Sequence, residues 1–92
     1  MQGNENIKIM RFKEAAGKVI KNLRTGSAKL SLNQFAHEYD FDKGNLSKTE
    51  RGIYNIYLMT AWRISEAAGV KFSEFAKLLE DELGEDFKLI DD

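Results

Sequence analysis

A chain of 92 residues without proline suits one helical domain with a modest core. The absence of cysteine excludes disulfides and thiolate metal sites. The sequence has no long apolar run, and its start, MQGNENIK, lacks a signal-peptide core. We therefore expect a cytoplasmic protein without a membrane span. We predict one domain over 1–92, with a core of about 7–83 and a tail at 84–92.

The charges are unevenly divided along the chain. The formal net charge is −1, which on its own argues against a nucleic-acid binder. Residues 1–51 nevertheless sum to +4 and residues 52–92 to −5. This division is typical of a face that binds a polyanion, opposed by an acidic back.

The first predicted helix covers Ile7–Leu23 and follows a polar, frayed segment, Met1–Asn6. Apolar residues recur at helical spacing in this stretch, and we interpret most of its lysines as a solvated face. Residues 25–29 then form a plain loop. The predicted core positions are Phe12, Ala16, Val19, Ile20 and Leu23.

Residues 31–52 carry the signals of two short helices joined by a tight corner. Ser31 and Gln34 form a capping box, and Asp42 is a good N-cap for the second helix. The corner is one or two residues long, and Gly52 ends the second helix. So short a corner makes the helices cross steeply, which predicts a helix-turn-helix.

The outward face of the second helix of this motif is polar and contains no acidic residue. With Leu46 directed inward, Lys43, Gly44, Ser47 and Lys48 point outward and Asn45 flanks them. Lysine, asparagine and serine can all bond to base edges in the major groove of DNA, and glycine allows close approach of the backbone. An ordinary solvated helix face is the alternative interpretation.

A fourth helix, about 57–68, is apolar nearly all round and is predicted to lie in the core, including Trp62. A fifth covers about 72–83. His37 is assigned to the surface, because a lone histidine cannot build a metal site. An apolar strip that could form an interface is predicted from Leu78, Leu79, Leu83, Phe87, Leu89 and Ile90.

A set of residues from the motif and the helices around it keeps a fixed spacing over some 60 positions: Leu30, Ser31, Phe35, Ala36, Leu46, Ser47, Lys48, Glu50, Arg51, Gly52, Leu58, Ile64, Gly69 and Val70. In these residues, from about Ile20 to Leu79, the chain resembles the lambda-repressor-like, Xre/Cro family of bacterial and phage regulators. The resemblance implies a compact, all-α, five-helix domain whose third helix reads the major groove.

The resemblance also implies roles for single residues. It places Lys43, Gly44, Ser47 and Lys48 on base-reading positions, and it pairs Arg24 with Glu50. Three positions depart from the family pattern: Leu32 replaces a phosphate-binding glutamine, Asp40 a turn glycine and Ile56 a proline. The residues near phosphate-contacting positions are Asn33, Arg51, Tyr54 and Asn55.

Sequence-specific binding of double-stranded DNA, and hence transcriptional regulation, is the function we expect. A homodimer through the fifth helix and the tail would give useful affinity. The alternative is a protein-interaction module of antitoxin or anti-repressor type that uses the acidic C-terminal half to bind a protein partner. No catalytic motif occurs, so we expect neither an enzyme nor a cofactor.

Overall fold

The computed structural model describes residues 3–90, and the side chains of residues 7–90. All regular structure in this range is helical, which confirms the expected all-α class. No helix in the range combines the length and apolarity that crossing a membrane requires. The helices are α1 (Gly3–Asn22), α2 (Leu32–Glu38), α3 (Lys43–Glu50), α4 (Leu58–Ala67) and α5 (Phe72–Leu83), with a π-helical segment (Leu23–Ala28) that continues α1.

The N-terminal end of α1 lies further upstream than predicted. The helix begins at Gly3, so the predicted frayed segment is wrong from that residue onward. Met1 and Gln2, which complete that prediction, lie outside the described residues.

At its other end α1 does not give way to a loop. The predicted loop over 25–29 is wrong, because Leu23–Ala28 forms a π-helical segment. Leu23 and Arg24, at the start of this segment, are both buried. Lys29 ends the segment in the left-handed conformation, with φ of 58°.

Both helices of the predicted motif begin at the expected caps. The Ser31 hydroxyl accepts the Gln34 backbone N–H at 3.1 Å, and the Gln34 side chain accepts the Ser31 N–H at 3.0 Å. The Asp42 carboxylate accepts the Asn45 N–H at 2.8 Å. The corner between the helices spans 39–42, which is longer than predicted.

Left-handed residues end both helices of the motif. Asp40 has φ of 59°. This left-handed conformation suits glycine and is strained for a residue with a side chain. Gly52 ends α3 with φ of 79°. The Gly52 N–H bonds to Thr49 O at 3.1 Å and the Ile53 N–H bonds to Lys48 O at 2.9 Å. This is a Schellman motif, so the predicted glycine stop is confirmed.

α1 packs against both α3 and α5, and its contact with α3 is close. A Cβ atom added at Gly17 would lie 2.4 Å from the Glu50 carbonyl oxygen and 2.6 Å from that of Thr49. The absence of a side chain at Gly17 therefore sets how closely α3 approaches α1. Buried apolar side chains fill the space between the helices: Val19, Ile20, Leu23, Phe35, Ala36, Leu46, Ala61, Ile64, Ala68 and Phe75.

The prediction that α4 lies wholly within the core is wrong. Its inner face is buried at Ala61, Ile64 and Ser65, but Trp62 is more than half exposed. The helix is apolar on both faces, but only one face packs against the core and the other lies on the surface. The end of α4 at Gly69 is confirmed, with φ of 76°.

α5 has the predicted bounds, but most of the predicted apolar strip is covered. Leu83 is buried, and Leu78 and Leu79 are half-buried against the core. The tail turns back toward α1, where the Phe87 ring centroid lies 6.2 Å from that of Phe12. In this part of the chain Leu89 and Ile90 remain exposed.

Substitution of Gly17 by alanine tests the α1–α3 contact. We expect Gly17→Ala to lower the free energy of unfolding by about 1–3 kcal/mol, because backbone atoms must move to admit the methyl group. Urea denaturation measures this loss. Gly26→Ala is the matched control, since nothing lies within 4 Å of its added Cβ. Equal stability of the two variants would contradict the close contact.

Candidate nucleic-acid interface

The face of α3 predicted to read DNA lies on the surface. Leu46 and Thr49 are buried and fix the rotation of the helix, so its other side faces solvent. The predicted inward direction of Leu46 is therefore confirmed. Of the predicted base-reading residues, Ser47 is half-buried, and the exposed ones are Lys43, Gly44, Asn45 and Lys48.

Lys48 does not extend freely from this face. Its ammonium donates to the Tyr54 hydroxyl at 3.3 Å and lies 5.1 Å from the centroid of the Tyr54 ring. The ring supports the lysine by a cation–π contact while the hydroxyl holds its end. A predicted base-reading residue and a predicted phosphate contact thus form one unit.

A cleft of about 640 Å³ separates α3 from the 53–57 loop. Asn45 lines one side, and Tyr54 and Asn55 line the other. The cleft is open to solvent, and these three side chains make this part of its lining polar. Three of the predicted site residues, on two separate segments, therefore border one depression beside the α3 face.

The other two predicted phosphate contacts lie outside the cleft. Arg51 is exposed at the C-cap of α3, and its N–H bonds to Ser47 O at 3.0 Å. Asn33 is exposed in the first turn of α2. Both lie on the motif, one on each helix.

Arg63 of α4 is a functional candidate that the sequence analysis missed. Its guanidinium donates to Tyr39 O at 2.9 Å and to Asp40 O at 3.1 Å. It also lies 4.4 Å from the centroid of the Phe41 ring. Arg63 therefore holds the strained corner between α2 and α3, and it lines the same cleft as Asn45.

A buried ion pair ties the end of α3 to the first helical region. Arg24 Nε lies 2.7 Å from Glu50 Oε2, and Arg24 Nη2 donates to Glu50 Oε1 at 2.9 Å. The side chains are 9% and 7% exposed. The third donor, Arg24 Nη1, bonds to Leu30 O at 3.0 Å. The pair implied by the family resemblance is thus confirmed.

The same contacts raise the pKa of Arg24 above its ordinary value. The hydrogen bonds to Glu50 are the main cause, its negative charge adds to the effect, and burial opposes it. Arg24 therefore stays charged, and Glu50 is the one acidic side chain of α3. Its charge is compensated internally, so the cations Lys43, Lys48 and Arg51 dominate the helix surface.

No protein-family model and no curated protein sequence matches the chain.

Loss of the Glu50 charge should destabilise the fold. We expect Glu50→Gln to cost about 3–5 kcal/mol in the free energy of unfolding, because it leaves the Arg24 charge buried without its partner. Asp81→Asn is the control, since it alters the Lys77–Asp81 pair, whose side chains are 67% and 63% exposed. Chemical denaturation should show a large decrease in the free energy of unfolding for the first variant and none for the second. A small decrease for Glu50→Gln would mean that Arg24 is hydrated.

Proposed function

We propose that the protein binds double-stranded DNA sequence-specifically, with α3 in the major groove, and acts as a transcriptional regulator of the lambda-repressor-like, Xre/Cro type. The main support is the exposed α3 face, which combines cations and amide groups with no uncompensated acidic side chain. α3 also follows a capped helix and a tight corner, as in helix-turn-helix proteins.

The side chains on this face suit base edges. Lys48 and Lys43 can donate to guanine O6 and N7, and Asn45 can pair with adenine. Ser47 is half-buried on the same face, and its hydroxyl can bond to one base edge. Gly44 adds no side chain that would separate the helix from the groove floor.

Residues at the margins of the face suit the phosphate backbone. Arg51 at the end of α3 and Asn33 on α2 can contact phosphates to either side of the reading helix. Asn55 lies on the loop across the cleft, where it can reach a further phosphate, while Tyr54 beside it holds Lys48. Such contacts position a protein on the duplex while the base contacts select the sequence.

An acidic surface supports a second candidate function, the interaction module of antitoxin or anti-repressor type. The end of α5 and the tail expose five acidic residues, and a basic protein partner would match this charge. These residues are Glu80, Asp81, Glu82, Glu85 and Asp86.

Selection of bound duplexes from a random DNA pool, at physiological salt, distinguishes the two functions. Enrichment of a defined sequence, with an affinity that falls steeply as salt rises, supports DNA reading, because phosphate contacts release counterions. No enrichment, together with a tight complex with a basic protein, would support the interaction module.

Removal of the Lys48 side chain should weaken binding to the selected duplex and reduce the preference for one base. We expect Lys48→Ala to reduce the affinity for the selected sequence by about 1–3 kcal/mol and to relax the preference at that position. Fluorescence anisotropy with single-base variants of the duplex measures both effects. Lys77→Ala, on α5, is the control and should change neither. An equal loss on every sequence would make Lys48 a phosphate contact.

Tyr54→Phe tests whether Tyr54 positions Lys48. It removes the hydroxyl that accepts the Lys48 hydrogen bond but keeps the ring. We expect weaker specific binding in the wild-type background and no further loss in the Lys48→Ala background, because the two residues act as one unit. Additive losses in this double-mutant cycle would mean that the hydroxyl contacts DNA independently.

A further inference from the structure

The cleft between α3 and the 53–57 loop has the size of a small-molecule site. Its volume is about 640 Å³, and small-molecule sites typically enclose roughly 300–1,000 Å³. Two of its lining residues, Leu46 and Thr49, are buried. The Thr49 hydroxyl already donates to the Asn45 carbonyl at 2.8 Å. The base of the cleft therefore offers a ligand no free donor, and the groups that can bind one lie on the walls.

A stack of planar groups ends at one wall of the cleft. The Phe35 and Phe41 rings are stacked, with a centroid distance of 5.5 Å and an angle of 3° between their planes. The guanidinium carbon of Arg63 lies 4.4 Å from the Phe41 centroid. Hydrogen bonds from Arg63 Nη2 to the carbonyls of Tyr39 and Asp40 hold the guanidinium there. Because Arg63 is exposed and lines the cleft, its side away from Phe41 is left for another planar group.

Groups that can bind the edge of a planar ligand surround this guanidinium. Asn45 and Asn55 are exposed on opposite sides of the cleft, and each side-chain amide offers both donors and an acceptor. Arg63 Nε and Nη1 have no hydrogen-bond partner among the described residues, so they can donate as well. The Tyr57 ring, which is 77% exposed, adds a second aromatic surface. The cleft therefore suits a flat ligand with donors and acceptors on its edge.

The charges of the cleft favour a neutral ligand. Of the residues that line it, Arg63 is the one cation and Asp42 the one anion. An anionic ligand would meet the Asp42 carboxylate as well as the guanidinium, and a cationic ligand would meet the guanidinium. Nucleobases are flat and neutral, they stack on aromatic rings and on guanidinium planes, and asparagine can pair with their edges. We propose that the cleft binds the base of a free nucleoside, with the ribose toward solvent.

The site also has a regulatory consequence, which rests on the proposed DNA function. Asn45 belongs both to the cleft and to the predicted reading face, and Tyr54, which holds Lys48, lines the opposite wall. A base in the cleft takes up the Asn45 amide and fills the space beside Tyr54. The nucleoside and DNA then compete for Asn45, so each lowers the affinity for the other. The nucleoside would act as an effector that releases the protein from DNA.

NMR titration of the isotope-labelled protein without DNA tests the site. Adenosine, guanosine, cytidine and uridine are added in separate experiments. We expect at least one of them to saturate at millimolar concentration or below, with the largest shifts at the side-chain amides of Asn45 and Asn55. Benzoate, which is planar but anionic, should bind more weakly. No saturable shift with any nucleoside, largest shifts away from the cleft, or equally tight binding of benzoate would overturn the proposal.

Two matched variants locate the bound nucleoside. Tyr57→Ala should raise its dissociation constant at least about fivefold, because it removes an aromatic surface on which the base stacks. Met59→Ala is the control, since Met59 is also 77% exposed but does not line the cleft. It should leave the dissociation constant unchanged. Equal effects of the two variants would contradict the assigned site.

Competition with DNA tests the effector role separately. A saturating concentration of the bound nucleoside should raise the dissociation constant for the selected duplex about fivefold or more. An unchanged affinity for the duplex would refute the effector role. A protein that binds the nucleoside in the cleft but no duplex would refute the proposed DNA function and support the nucleoside site.

Discussion

The position of α3 depends on its attachment to α1 and the π-helical segment. An eight-residue helix is not stable in water on its own, so its place must come from tertiary contacts. Two such contacts act at the same end of α3: the close backbone approach at Gly17 and the ion pair between Arg24 and Glu50. The first sets the distance between the helices, and the second sets the direction in which the last turn points.

The other end of α3 is held by different means. The Asp42 cap starts the helix, and Arg63 of α4 bonds to the carbonyl groups of the preceding corner. The corner contains Asp40 in a left-handed conformation, which costs energy for a residue with a side chain. The arginine offsets this cost, because its hydrogen bonds and its contact with the Phe41 ring fix the same three residues.

Sequence patterns predicted the helix caps and stops of the motif well, but they predicted neither the π-helical segment at 23–28 nor the long-range contacts. The caps at Ser31 and Asp42 and the stop at Gly52 depend on residues a few positions apart, so spacing reveals them. The role of Arg63 depends on a corner more than twenty residues away, which no local pattern indicates. The exposure of Trp62 was missed for a related reason: the spacing of apolar residues along the chain does not show which of them another helix covers. The Arg24–Glu50 pair was reached only through the family resemblance.

The contact between Lys48 and Tyr54 also has an entropic consequence. A free lysine side chain loses about 1.5–2 kcal/mol of rotamer freedom when it is immobilised. Because the Tyr54 ring and hydroxyl already restrict Lys48, part of this loss occurs on folding, before any partner arrives. The ammonium group is therefore presented in a narrow set of directions, and a partner that accepts its hydrogen bond there binds with a smaller ordering penalty.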